Sequence, residues 1–423
     1  MTRALPILAM SLCASLLAEL PQPRDYAAAE KAALAALQNA EISGAGARAM
    51  ATCSNTLGAL YYDMGRYPEA ETLLQNSLAF WMQAGGPEHA ELANTLNNLA
   101  GAHAKMGRWQ DAEATYRGAL AIRQRLPGGN PADLADTLNN LAELYRARGR
   151  YAEAEPLYRQ ALETCEAALG PEHPRTALVL NNQGTLLAAQ GRYEDAEALY
   201  LRTIQIRRQA LGPNHAALAN ALNNLATVKA ARGQFTEAEQ LLRESLAIAE
   251  SALGLEHLQV ATALNNLASV YDKQGRPSTA EPLYRRALAI LERTVGPQDG
   301  EVAAVLFGLA KSCHAQGRNS EAEAFYEQAL PIWEKRLGRE SRDFARHLYT
   351  LADLYHGDSR YSRAEPLYRR ALGILERTDG PRSPVLLPAL EKYAAMLRDM
   401  KRKGEATRLE ARAKSIRGAS RQG

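Results

Sequence analysis

Aromatic residues make up only 6% of this 423-residue chain, and there are just four cysteines, Cys13, Cys53, Cys165 and Cys313. No two cysteines stand close together and no CxxC occurs, which argues against a zinc site, a redox pair or a disulfide framework. The four read as small buried hydrophobes. An excess of charge of one sign is also missing: 50 Lys and Arg against 47 Asp and Glu leave a net +3, and the one concentrated basic run is Lys401-Arg402-Lys403. A chain without a cationic face cannot neutralise a row of phosphates, so nucleic acid is not expected as a partner. No phosphate loop, HExxH or GxSxG is present, so an enzyme is not expected, nor a cofactor or a metal. Past the amino terminus no apolar run is long enough for an integral membrane span. Ala and Leu dominate instead, which suits packed helices better than strands, where β-branched and aromatic residues gather. The fold class expected is all-α.

What the chain does have is a period. Gly65, Gly107, Gly149, Gly191, Gly233, Gly275 and Gly317 stand 42 residues apart, with Ser359 and Lys401 in the same slot further on. A second marker, Gly44, Gly86, Gly128, Gly170, Gly212, Gly254, Gly296, Gly338 and Gly380, keeps the same spacing. A fixed period of this length marks a solenoid, whose units cannot bury their apolar faces alone. Residues 24–417 are therefore read as one α-solenoid: an N-terminal half repeat beginning near Asp25, eight 42-residue repeats, and a degenerate, highly charged C-terminal capping repeat. Residues 418–423 are read as a flexible tail.

Each repeat holds two helices. In the third, one runs from about Ala132 to Arg148 and the other from about Ala152 to Leu169. Leu138, Leu141, Ala142 and Tyr145 form one apolar stripe, and Ala154, Tyr158, Ala161 and Leu162 the other. Pro156, Pro282 and Pro366 are expected in the first turn of the second helix, where the missing N–H has no partner to lose.

Residues 1–20 carry Arg3 and then an uncharged apolar stretch from Leu5 to Ala18. This is read as a signal peptide, which implies a periplasmic or secreted protein; the alternative is an apolar helix capping the first repeat of a cytoplasmic one.

The recurring Leu-Asn-Asn-Leu-Ala, then Gly-Arg-Tyr-x-x-Ala-Glu-x-Leu-Tyr, then Ala-Leu-x-Ile and Leu-Gly-Pro-x-His resemble the tetratricopeptide repeat (TPR) family, in the 42-residue form of kinesin light chain. That resemblance implies a right-handed superhelix of antiparallel helix pairs whose concave groove, lined by first helices, binds an extended peptide or a helix. It points to Asn55, Asn97, Asn139, Asn181, Asn223 and Asn265 as groove residues. Four positions on come Gly101, Glu143, Thr185, Thr227, Ser269 and Lys311. The Lys and Asn arrangement that clamps a terminal carboxylate in some members is not matched here.

An asparagine both donates and accepts, so a ladder of them can pair with a peptide backbone whatever its side chains. At about 0.5–1.5 kcal/mol net for each bond, several rungs supply much of the roughly 8 kcal/mol of micromolar binding. Asn181, Thr185, Asn220, Asn223 and Thr227 form the polar, nearly uncharged centre of this candidate groove. Charge stands toward its ends, at Glu143, Arg146, Asp272, Lys273 and Lys311. The competing reading of the asparagine pair is a bridge between neighbouring repeats. His89, His173, His215 and His257 are one repeat apart with no second ligand near, and read as turn residues rather than metal ligands. The arginine row from Arg66 to Arg360 reads as surface, paired with carboxylates such as Glu153 and Glu197. The expected function is a non-enzymatic scaffold for a protein or peptide partner; the alternative is a self-assembling stack, and the sequence leaves the oligomeric state open.

Overall fold

A computed structural model describes residues 26–44, 46–85 and 89–419. Among them are 19 α-helices, one short 3-10 turn and no strand. The readings of residues 1–20 lie outside the described residues. Of the expected tail, residues 418 and 419 close the last helix, Lys403–Ala419, and the rest lie outside. The chain divides into two compact units, Met1–Leu255 and Glu256–Gly423.

In the first unit, Tyr26–Ile42 is the second helix of an incomplete repeat. First helices Ala47–Asp63, Ala90–Lys105, Pro131–Ala147, Pro174–Ala189 and Ala216–Ala231 then alternate with second helices Tyr67–Gly85, Trp109–Arg125, Tyr151–Leu169, Tyr193–Leu211 and Phe235–Leu253. From Tyr26–Ile42 to Phe235–Leu253, each helix of the unit packs on its neighbours in sequence within the unit. Small side chains set the spacing. Ala51, Ala93, Ala135, Ala177 and Ala219 on first helices, and Ala70, Ala112, Ala154, Ala196 and Ala238 on second helices, are buried at 42-residue intervals. An alanine at the crossing lets the backbones approach, and Tyr116, Tyr158 and Tyr200 fill the space beside it. The stripes foreseen in the third repeat are buried as expected, except that Leu162 is half-buried at the rim of that core.

The turn inside each pair is built at the glycine slot. Gly149 takes φ 71°, its N–H donates to the Arg146 carbonyl at 2.9 Å, and the Arg150 N–H reaches back to the Tyr145 carbonyl at 2.9 Å. This left-handed stop satisfies carbonyls at the helix end. Each second helix starts just after the turn, Tyr151 standing one residue ahead of the expected Ala152. Pro156 is therefore the sixth residue of Tyr151–Leu169 and lies inside the helix, as do Pro282 and Pro366 in theirs.

The arginine after the turn ties one repeat to the next. Arg66, Arg108, Arg150 and Arg192 each pair three residues on, with Glu69, Asp111, Glu153 and Asp195. Each also pairs with a carboxylate of the preceding second helix: Glu30 at 2.7 Å, Glu71 at 2.5 Å, Glu113 at 2.6 Å and Glu155 at 3.0 Å. Glu197 takes other partners, Lys229 at 2.7 Å and Arg232 at 2.5 Å, because residue 234 in the arginine slot is Gln. The arginines of these pairs are open to solvent, so the ties set register more than they stabilise.

The second unit repeats the pairing with Leu258–Lys273 and Pro277–Thr294, Gly300–Ala315 and Asn319–Leu337, Arg342–Gly357 and Tyr361–Asp379, and Leu387–Asp399 and Lys403–Ala419. Arg318, Arg360 and Arg402 continue the inter-repeat ties to Glu281, Glu323 and Glu365. Its core holds an aromatic cluster in which the Phe307 ring meets Tyr326, Trp333 and His347 edge-on.

Candidate functional site

The asparagine pairs of the first unit are joined to each other across repeats. The second asparagine of each pair donates its Nδ2 to the Oδ1 of the first asparagine one repeat earlier. The bonds are Asn98 to Asn55 at 3.3 Å, Asn140 to Asn97 at 3.2 Å, Asn182 to Asn139 at 3.0 Å and Asn224 to Asn181 at 3.1 Å. Within a pair, Asn139 and Asn181 donate to Asn140 and Asn182 at 3.4 and 3.3 Å. The first asparagine is the buried one: Asn97, Asn139 and Asn181 are 8%, 2% and 5% exposed. Asn140, Asn182 and Asn224 are half-buried. The geometry thus gives the pair the bridging role that stood as the alternative to ligand contact. Asn55 and Asn223 are half-buried. The signal that could have found the ladder is the offset of 43, one more than the period, which brings a second asparagine over the first asparagine of the repeat before it.

Around the ladder, Thr185 Oγ1 donates to the Asn181 carbonyl at 3.0 Å and accepts from Tyr200 OH at 3.0 Å. Thr227 bonds the Asn223 carbonyl at 3.0 Å, and Asn220 Oδ1 accepts weakly from Asn224 at 3.5 Å. Thr185, Asn220 and Thr227, all on first helices, are half-buried. One repeat earlier the corresponding slot holds a charge pair. Arg146 donates through Nε and Nη2 to Glu143 at 2.7 and 2.5 Å, and Tyr158 OH donates to Glu143 Oε2 at 2.7 Å. Both charged side chains are 7% exposed. Burial, with the Glu143 carboxylate adding to it, holds the Tyr158 phenol well above its ordinary pKa, so it stays a donor. The pair commits the Glu143 carboxylate together with the Nε and Nη2 donors of Arg146, and removing either partner would leave a buried charge uncompensated.

In the second unit Asn265 is half-buried, and the ladder motif ends after its repeat, with Phe307 and Tyr349 in the first-asparagine slot. Gly308 follows for a steric reason: a Cβ there would stand 2.5 Å from the Tyr284 ring. Burial raises the Asp272 pKa, and Tyr284 OH donates to this carboxylate at 3.1 Å. Lys273 and Lys311 lie close enough for the charge of Lys311 to add to burial in lowering the Lys273 pKa.

The periodic histidines are helix N-caps. The Nδ1 of His89, His173, His215 and His257 accepts from the backbone N–H of Leu92, Arg175, Ala217 and Gln259 at 3.1–3.2 Å. Such a cap answers one of the free donors of a helix start. Among the described residues no group of His, Cys, Asp or Glu is placed to hold a metal, and no helix is long and apolar enough to cross a membrane.

A stack of helix pairs with a polar first-helix face is the architecture of a protein-interaction scaffold. The family comparison names the class. The tetratricopeptide repeat model matches residues 48–125, 133–209, 175–251, 217–293 and 259–335, and a second tetratricopeptide repeat model matches 348–383. The chain belongs to the tetratricopeptide repeat family. Among solved structures it is similar to the apo form of the quorum sensor NprR from B. thuringiensis, with a TM-score of 0.59 at 16% identity over 83% of this chain and 99% of that one. It is also similar to a Rap protein complexed with competence and sporulation factor, with a TM-score of 0.51 at 15% identity over 84% and 98%. A putative kinesin light chain with nearly identical TPR-like repeats from Podosopora anserina is 26% identical over 49% of this chain and 98% of that one, with a TM-score of 0.41. No curated protein matches the chain.

Proposed function

We propose that the protein is a non-enzymatic scaffold that takes a peptide segment of a partner along the first-helix face of unit 1–255, the concave side of a TPR stack. The observation that carries this reading is the concentration of half-buried, neutral polar side chains there: Asn140, Thr185, Asn182, Asn220, Asn224 and Thr227. Buried asparagines lock the neighbouring helices in register through the ladder, so this row is preorganised and little ordering cost falls on binding. Each side chain keeps a lone pair or an N–H for an extended backbone, which makes recognition tolerant of sequence. The likeness to a Rap protein complexed with competence and sporulation factor supports a ligand-receiving role for this fold.

Thr227 makes one hydrogen bond, to its own helix, so its replacement perturbs the stack little. Thr227→Arg puts a long cation across the row. With a partner identified by affinity capture and then purified, the variant is expected to bind at least about tenfold more weakly, about 1.4 kcal/mol, at unchanged helicity. Unchanged affinity in a folded Thr227→Arg chain contradicts the reading.

A further inference from the structure

In the eight repeats from Ala47 to Asp379, one slot near the end of the second helix is mostly a core position. It holds Trp81, Cys165 and Ala249 in the first unit and Leu291, Trp333 and Leu375 in the second, all buried. In two of the eight the same slot carries an arginine, Arg123 and Arg207, 84 residues apart, while the end helices hold the exposed Asn39 and Arg417 there. A guanidinium in a place the fold otherwise fills with hydrocarbon breaks the local rule, and such breaks mark functional positions.

The two arginines take the same pose in different company. Arg123 donates through Nη1 to the Asp133 carbonyl and to Thr137 Oγ1, and through Nη2 to Asn94 Oδ1 at 2.5 Å. The carboxylates of Asp133 and Asp136 lie close enough to stabilise its charge. Arg207 donates through Nη1 to the corresponding carbonyl, that of Ala217, at 2.7 Å. Every side chain that serves Arg123 is missing around it: the slots of Asn94, Asp133, Asp136 and Thr137 are occupied by Leu178, Ala217, Asn220 and Ala221. Arg207 is only 4% exposed. Burial brings its pKa down to about 10, with no carboxylate acting against it. A buried cation with one neutral acceptor costs the fold stability that a nearby anion would return.

We propose that Arg207 is a receptor for a carboxylate of the bound peptide, which takes the place that the Asp133 and Asp136 carboxylates hold beside Arg123. Asn220, on the first-helix face in the Asp136 slot, offers its amide to the same group. The peptide as carrier rests on the groove reading above; the carboxylate site itself does not. The carboxylate can come from a side chain or from a chain end, and two small probes separate these: N-acetyl-aspartic acid α-amide for the first and N-acetylglycine for the second.

The experiment is thermal unfolding of the full chain in chloride, with each probe then substituted at constant ionic strength. Three proteins are compared: the wild type, Arg207→Leu, which installs the residue of the equivalent slots at 291 and 375, and Asn220→Asp, which restores an internal carboxylate. Both variants are expected to melt higher than the wild type in chloride, by at least about 2 °C. At least one probe is expected to raise the wild-type midpoint while leaving both variants unmoved, and the more effective probe names the source. A lower midpoint for Arg207→Leu, a wild type indifferent to both probes, or an equal response of all three overturns the inference. None of these outcomes bears on Thr227→Arg, so the two readings fail separately.

Discussion

His347 stacks on Trp333 with ring centroids 3.5 Å apart and planes 10° from parallel. Burial first, and the Arg346 charge second, push its pKa down to about 4. The folded state therefore favours the neutral ring, while the unfolded chain protonates near pH 6.5. This contribution is complete above about pH 6.5, falls as the pH drops, and is gone below about pH 4. His347→Phe keeps an aromatic ring and removes the titration. Denaturant unfolding is expected to show a smaller loss of stability between pH 7 and pH 4.5 in the variant than in the wild type, by on the order of 1–2 kcal/mol; parallel losses would refute the assignment. At this scale the sequence was only partly legible. Buried positions such as Leu138 and Tyr158 follow from helical periodicity, because burial repeats every turn. The division of labour inside Asn139-Asn140 does not, since both lie beside the apolar stripe and only the inter-repeat distance separates them. Arg207 was equally hidden, because an arginine in an amphipathic helix looks like surface until its neighbours are known.

The elements are punctuated by the turn slot, and two repeats show what a glycine there avoids. Ser359 and Lys401 adopt φ 58° and 61°, a region that costs an L-residue roughly 1–2 kcal/mol, whereas glycine enters it freely. Ser359 is exposed, so little else depends on its side chain. The extra unfolded-state entropy of glycine offsets about half of the gain. Ser359→Gly should stabilise the second unit by about 0.5–1 kcal/mol, and Ser359→Ala should not, as read from the midpoint of chemical denaturation; equal midpoints for the two would show that the turn is unstrained. Helix pairing, period and turn positions were all legible in the sequence, since each is a local signal repeated many times. Two details escaped. The prolines fall at the sixth residue of their second helices, past the first turn, and the histidines cap helix starts through Nδ1, a role their spacing alone does not reveal.

At the scale of the whole molecule, the chain is a TPR protein assembled as two compact units with unequal first-helix faces. In 1–255 the asparagine ladder ties successive repeats, while in 256–423 Phe307 and Tyr349 stand where the first asparagine would be. Nearest-neighbour ties of this kind make each repeat depend on its flanks, which is why the fold could be read from a period and the ligand could not: the period records packing, and ligand chemistry sits in the positions that depart from it. The central claim is that a partner peptide lies along the first-helix face of unit 1–255. The most direct test is site-specific photocrosslinking of the full chain to its captured and purified partner, with a small uncharged diazirine amino acid at Thr227 on that face or at Gln160, which is exposed on a second helix. The account predicts crosslinks to one partner segment from position 227 and none from 160; crosslinks from 160 alone would contradict it.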